Sequence, residues 1–220
     1  MELNLVQTIA IYALPVIFAI TLHEAAHGYV ARHFGDTTAW RAGRVSLNPI
    51  RHIDLVGTII VPLSILLVGK LLGGVNILFG WAKPVPVNYG ALRNPKADML
   101  WVALAGPAIN LVMALGWGAL LKLSIVAPQN FFSYPLALMA DKGVEINVVL
   151  MVLNLLPIPP LDGGRIMVSL LPLKFALLFA RLEPYGFPIL LVLILTNLLE
   201  LILMPPVRGS IRLIEMLFQL

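Results

Sequence analysis

The sequence predicts an all-α integral membrane protein, a polytopic helix bundle of about six transmembrane segments with a small membrane-associated extended/β or re-entrant element. Three observations carry this expectation. Of 220 residues, 60% are hydrophobic and only 12% charged, with a mean hydropathy of +0.93; a soluble domain carries about 45–50% apolar and about 25% charged residues. The apolar residues fall in stretches of membrane length separated by short polar segments. There is no cysteine, which removes disulfide scaffolds and Cys-ligated zinc or iron–sulfur sites. Disorder is excluded by the high hydrophobicity. At roughly 20 residues per span the chain accommodates about six crossings and no separate soluble domain, so residues 1–220 read as one transmembrane domain.

The first span covers about 3–31. Its start, MELN, has no Lys or Arg, so it does not read as a signal peptide. The basic residues follow it, at Arg32, Arg41, Arg44 and Arg51. The positive-inside rule therefore places residues 32–54 in the cytoplasm and the N-terminus outside. Residues 55–79 are apolar but interrupted by Pro62, Gly69, Lys70, Gly73 and Gly74. The segment after them carries Lys83, Arg93 and Lys96 and also reads as cytoplasmic, so 55–79 must cross an even number of times or re-enter. A clear span follows at 99–121, then an outer loop with Pro128, Asn130 and Pro135, then a return span from 136 that leads into the polar run up to 164. Residues 165–181 read as an amphipathic surface helix marked by Arg165, Lys174 and Arg181, residues 185–204 as the last span, and the tail as an interfacial helix.

The net charge of +4 contains no basic run and no aromatic-interleaved patch, so no nucleic-acid partner is expected. The basic residues instead mark the cytoplasmic side of a multi-pass protein in the cell membrane.

The most informative site is His23-Glu24-Ala25-Ala26-His27, inside the first apolar stretch. Ionisable groups at bilayer depth are expensive and so are functional candidates. Positions i and i+4 share one helix face, so two neutral imidazoles can bind one metal ion there. Glu24 projects about 100° round the helix from His23, which lets it reach water beside the ion rather than the ion itself. The bland alternative is a pair of histidines hydrogen-bonded inside a bundle; three polar residues within five positions would each then need a partner in lipid.

A catalytic zinc site usually takes three protein ligands. His33 and His52 lie in or near the Arg-rich loop. Asp162 is the best-placed third ligand: it follows a span, sits behind Pro157, Pro159 and Pro160, and precedes Gly163 and Gly164. The prolines stop a helix without leaving unsatisfied donors, and the glycines permit torsions that other residues resist. Asp162 could instead cap the following helix, and Asp54 is a competing ligand that reads more readily as a loop residue. Asn154 could donate to a substrate carbonyl or equally bond carbonyls freed by Pro157. Asn110, in Ala105-Gly106-Pro107-Ala108-Ile109-Asn110, reads as interhelical glue.

With HEAAH at 23–27, AGPAIN at 105–110 and NLLPIPPLDGG at 154–164 in that order on three spans, the sequence resembles the site-2 protease family of intramembrane zinc metalloproteases. GWAKPVPVN at 80–88 resembles a compact prokaryotic branch, and the similarity runs from residue 20 to about 185. The resemblance implies one Zn2+ ion held by His23, His27 and Asp162, Glu24 as catalytic base, and Asn154 in substrate binding or transition-state stabilisation. It also implies an active site toward the cytoplasm and a transmembrane protein or peptide as substrate. No room is left for the PDZ or CBS modules of some members.

The expected reaction is hydrolysis of a peptide bond within or beside a transmembrane segment, with extended edges near Val45–Leu47 and Trp81–Val87 receiving the unwound substrate. Two rivals come from other classes. A metal or proton transporter would use His23, His27, Asp54 and Asp162 as a relay, but would need no aligned base and often shows repeated halves, which are absent here. A silent membrane scaffold would not need the intact His and Glu set.

Overall fold

The structure is a computed structural model that describes residues 4–60, 64, 83–128 and 130–220. It is all-helical among the described residues. Most of the broken stretch 55–79, and Trp81 of the expected extended edge, lie outside them.

The first helix, α1, runs Leu5–His33. Asn4 and Gln7 form a capping box at its start, each side chain bonding the other's backbone amide. It stops where Gly35 adopts φ +106°, a conformation that side chains disfavour. The short α2, Thr38–Arg41, follows, then single turns at Pro49–His52 and Leu55–Ile60. After the turn Tyr89–Ala91 comes α3, Pro95–Val126, with proline at its first position and the Asp98 carboxylate accepting from the Asn94 amide. Helix α4, Ser133–Leu155, ends two residues before Pro157. Helices α5, Asp162–Leu170, α6, Leu173–Ala180, α7, Gly186–Leu195, and α8, Leu198–Phe218, complete the chain.

Among the described residues three stretches are long and apolar enough to cross a membrane: Val6–His33, Pro95–Val126 and Leu173–Leu195. Between apolar helices in lipid no hydrophobic force drives association, so close packing of small residues must do it. The contacts obey this rule. Ala19, Ala31, Ala103, Ala114 and Ala140 are wholly buried. The Trp117 ring of α3 lies so close to Gly143 of α4 that a Cβ there would sit 2.3 Å from it. Outward, Ile17, Phe18, Trp101, Val112 and Leu201 are exposed, as suits a lipid-facing surface.

Two parts of the C-terminal reading are corrected. The stretch 185–204 is not one helix, because Asn197 at φ +58° breaks it between α7 and α8. The tail is also not a helix of its own. It belongs to α8, whose Leu203, Val207 and Ile214 are buried in a core with Trp117, Val144, Val148 and Val152. Lys122 Nζ donates to the Gln219 carbonyl at 2.8 Å, so α8 ends beside the C-terminal end of α3.

Candidate metal centre

α1 packs against α3 and α4, and the first turns of α5 close the same space. His23 and His27 stand one turn apart on α1, as their spacing requires. Their Nε2 atoms are 3.1 Å apart. Asp162 Oδ2 lies 3.1 Å from His23 Nε2 and 3.2 Å from His27 Nε2. All three side chains are buried. The structure thus brings together the two imidazoles and the carboxylate that the sequence singled out, with His27 and Asp162 135 positions apart in the chain.

The donor chemistry of this cluster fits a cation. His27 Nδ1 faces the Val102 carbonyl at 2.7 Å. A carbonyl only accepts, so Nδ1 carries the proton and Nε2 presents a lone pair. His23 Nδ1 faces Asn110 Oδ1 at 2.5 Å, with the same consequence. Three electron-pair donors therefore meet with no hydrogen between them, and Asp162 Oδ2 has no hydrogen-bond partner. A buried acceptor left so is costly unless a positive charge joins the group. Two neutral nitrogens and one carboxylate oxygen are an established zinc donor set that leaves one position open.

Glycine makes the convergence possible at two places, and in both the reason is space. A Cβ on Gly106 would lie 2.5 Å from His23 Cε1 and from His27 Nε2. A Cβ on Gly163 would lie 2.2 Å from the Leu156 carbonyl oxygen, and one on Gly164 would lie 2.6 Å from Pro159 N. Among the described glycines only Gly35 and Gly43 have positive φ, so the expected torsional freedom of Gly163 and Gly164 is not used. They let the loop Leu156–Leu161, with a cis Pro159–Pro160 bond, fold back over the start of α5.

Glu24 lines the same small cavity, of about 110 Å³, as the three clustered residues, with Pro84, Val85, Asn154 and Arg165 also in its wall. Its Oε2 accepts from the Val85 amide at 2.7 Å. Asn154 spends one amide hydrogen on the Leu150 carbonyl at 3.0 Å. Asp54 stays outside; its carboxylate accepts from the Gly57 amide at 2.7 Å. His52 is turned to the Ser46 carbonyl and His33 packs on Phe34, so neither joins the cluster. Sequence reasoning undervalued Asn110, which contacts His23 directly, and passed over Asn147 and the Val102 carbonyl. A lone amide within an apolar span is the signal that marks such residues.

Comparison with known proteins bears on this arrangement. A model of peptidase family M50 matches residues 122–196, which include Asn154 and Asp162. YwhC of Bacillus subtilis (strain 168) is 38% identical over 198 residues, covering 89% of this chain and 84% of YwhC. The chain belongs to peptidase family M50. This M50 peptidase is also 30% identical to Rip2 of Mycolicibacterium smegmatis over 84% of its own length and 66% of Rip2. It is 25% identical to zinc metalloprotease MJ0392 of Methanocaldococcus jannaschii over 77% of its length and 37% of that protein. All three relatives are named as zinc metalloproteases, the first two provisionally. No solved structure matches the chain. The resemblance to site-2 proteases is borne out at the level of the family, and the M50 peptidase is a membrane zinc metallopeptidase.

Proposed function

We propose that this M50 peptidase is a multi-pass protein of the cell membrane that hydrolyses peptide bonds within or next to transmembrane segments of other membrane proteins. The observation that carries the proposal is the meeting of two Nε2 atoms and one carboxylate oxygen inside a bundle of membrane-length helices, with Glu24 beside them. His23, His27 and Asp162 would hold one zinc ion, which supplies Lewis acidity to the scissile carbonyl and makes water a stronger acid.

Glu24 acts as base and then acid. It takes a proton from the attacking water as the C–O bond forms, and returns it to the nitrogen as the C–N bond breaks. The Val85 amide holds Oε2 in place and leaves Oε1 for the proton. Asn154 has a second amide hydrogen beyond the one bound to Leu150, available to a developing oxyanion. Arg165 in the cavity wall, with the other basic residues of the loops on that side, supports a cytoplasmic opening through which water enters.

A transmembrane substrate hides its backbone in helical hydrogen bonds and must unwind to be cut. Residues 83–88 run without helix past Glu24 and would receive the unwound chain, as would residues near Val45–Leu47. Pro84 and Pro86 have no N–H, so at those positions this segment offers a substrate carbonyl acceptors and no donors.

The test is zinc content and cleavage of a model transmembrane substrate in liposomes. Wild type should hold about one zinc per chain and cleave. Glu24→Gln should keep zinc and lose cleavage by at least about 10²-fold. Asp162→Ala should lose both. Full activity in zinc-free wild type would overturn the proposal. Zinc-dependent ion flux without cleavage would favour the transporter reading.

A further inference from the structure

Among the described residues three polar side chains outside the cluster have no exposed surface: Asp36, which bonds loop amides, and two asparagines inside the bundle, Asn110 on α3 and Asn147 on α4. Asn110 presents its oxygen to His23 Nδ1, and that choice decides whether His23 can be a ligand. An amide turned the other way would offer N–H, put the imidazole proton on Nε2, and aim that proton at Asp162 and His27. Something must hold the amide in its present sense.

The hydrogen-bond chain behind it does so. Asn147 Nδ2 donates to the Gly143 carbonyl at 2.8 Å. A backbone carbonyl can only accept, so the Asn147 amide has one direction, with its oxygen toward α3. Asn110 Nδ2 donates to that oxygen at 3.0 Å, and at 3.5 Å to the Ala19 carbonyl. Asn110 Oδ1 is then left for His23 Nδ1–H. The sequence Gly143 carbonyl, Asn147, Asn110, His23 is thus a polarised line that starts at an acceptor and ends on a lone pair at Nε2. Each link is buried, so an unmatched amide would be costly and a reversed one would set oxygen against oxygen.

We propose that Asn147 is a positioning residue for the metal centre, fixing through Asn110 the tautomer in which His23 binds zinc. The proposal rests on His23 being a ligand. Asn147 touches neither the ion nor the substrate; it acts two hydrogen bonds away, from a different helix. The longer contact to Ala19 gives Asn110 a partial substitute, so its loss weakens binding rather than abolishing it.

The experiment measures zinc affinity and the ¹⁵N signature of His23 in the zinc-free protein. Asn147→Leu is nearly isosteric and should lower zinc affinity about tenfold, within the 10–100-fold cost of losing an outer partner of a metal ligand. In the zinc-free variant part of the His23 population should shift to the Nε2–H tautomer, while wild type shows Nδ1–H. Asn147→Ala should change both readouts in the same direction, so a folding failure of one variant does not remove the test. The discriminating background is Asn110→Asp, whose carboxylate can only accept and so needs nothing to orient it. There Asn147→Leu should cost no zinc affinity, and any change should be a gain, because the variant removes the Asn147 oxygen that would face the carboxylate. Equal loss in both backgrounds would mean that Asn147 only fills space, and would overturn the proposal. Wild-type affinity and tautomer in Asn147→Leu would overturn it as well. If wild type binds no zinc, the metal reading fails, and the tautomer measurement still decides the relay by itself.

Discussion

The carboxylate of Glu24 and the backbone amide of Val85, 61 positions apart, are joined by a 2.7 Å hydrogen bond. The bond ties the candidate base on α1 to the Pro-Val-Pro segment that passes over the cavity. Arg44 and His52 anchor the residue before it: the Arg44 guanidinium donates to the Lys83 carbonyl, and the His52 carbonyl accepts from the Lys83 amide. Helix and loop therefore set the position of Glu24 together.

Removing that amide tests the arrangement. Val85→Pro keeps the extended backbone but has no N–H. Zinc content should stay at the wild-type value while cleavage falls about 10- to 100-fold, the cost of a base displaced by an ångström or so. Val85→Ala, which keeps the amide, should lose less. Single-turnover cleavage with parallel metal analysis measures both, and equal rates for Val85→Pro and wild type would show that the bond has no catalytic part.

Gly106 leaves no room for a methyl group between the two imidazoles and α3. Gly106→Ala should push the rings apart and reduce zinc affinity by about 10- to 100-fold, as displacement of ligand support does elsewhere. Helix content should remain, because alanine is the better helix former. Competition with a chelator of known affinity gives the number.

Gly186 offers a contrast with two other glycines. A Cβ there would lie 1.7 Å from the Pro159 carbonyl oxygen, whereas Gly116 and Gly209 face open space. Gly186→Ala should destabilise by about 1–3 kcal/mol and loosen the loop that delivers Asp162. Gly116→Ala and Gly209→Ala should be neutral or stabilising by up to about 1 kcal/mol. Thermal unfolding in detergent, compared across the three variants, checks the ordering.

Zinc should also stabilise the fold, since it relieves three facing lone pairs. Chelation should lower Tm, and added zinc should restore it by the amount that binding linkage gives, about 2.7 kcal/mol at a hundredfold excess over Kd. In Asp162→Asn that zinc-dependent increment should largely vanish. A Tm indifferent to zinc in wild type would count against the site.

Much of this was legible in one dimension. HEAAH places two imidazoles on one face because an α-helix repeats every 3.6 residues, whatever surrounds it. The proline run before Asp162 ends α4 because proline cannot continue a helix interior, and hydropathy marks the membrane segments by composition alone. Local covalent geometry decides these features, so the sequence by itself determined the helical membrane class and the shared helix face of His23 and His27, and it ranked Asp162 ahead of Asp54. It could not show that the Asp162 carboxylate reaches the imidazoles while Asp54 stays away, or that Asn110, Asn147 and Val85 bond where they do. Those depend on which side chains meet across helices, and on the direction in which each amide points. Such facts arise only when α1, α3 and α4 pack, where an unpaired polar group in a dry interior is too costly to leave and every donor must find its acceptor.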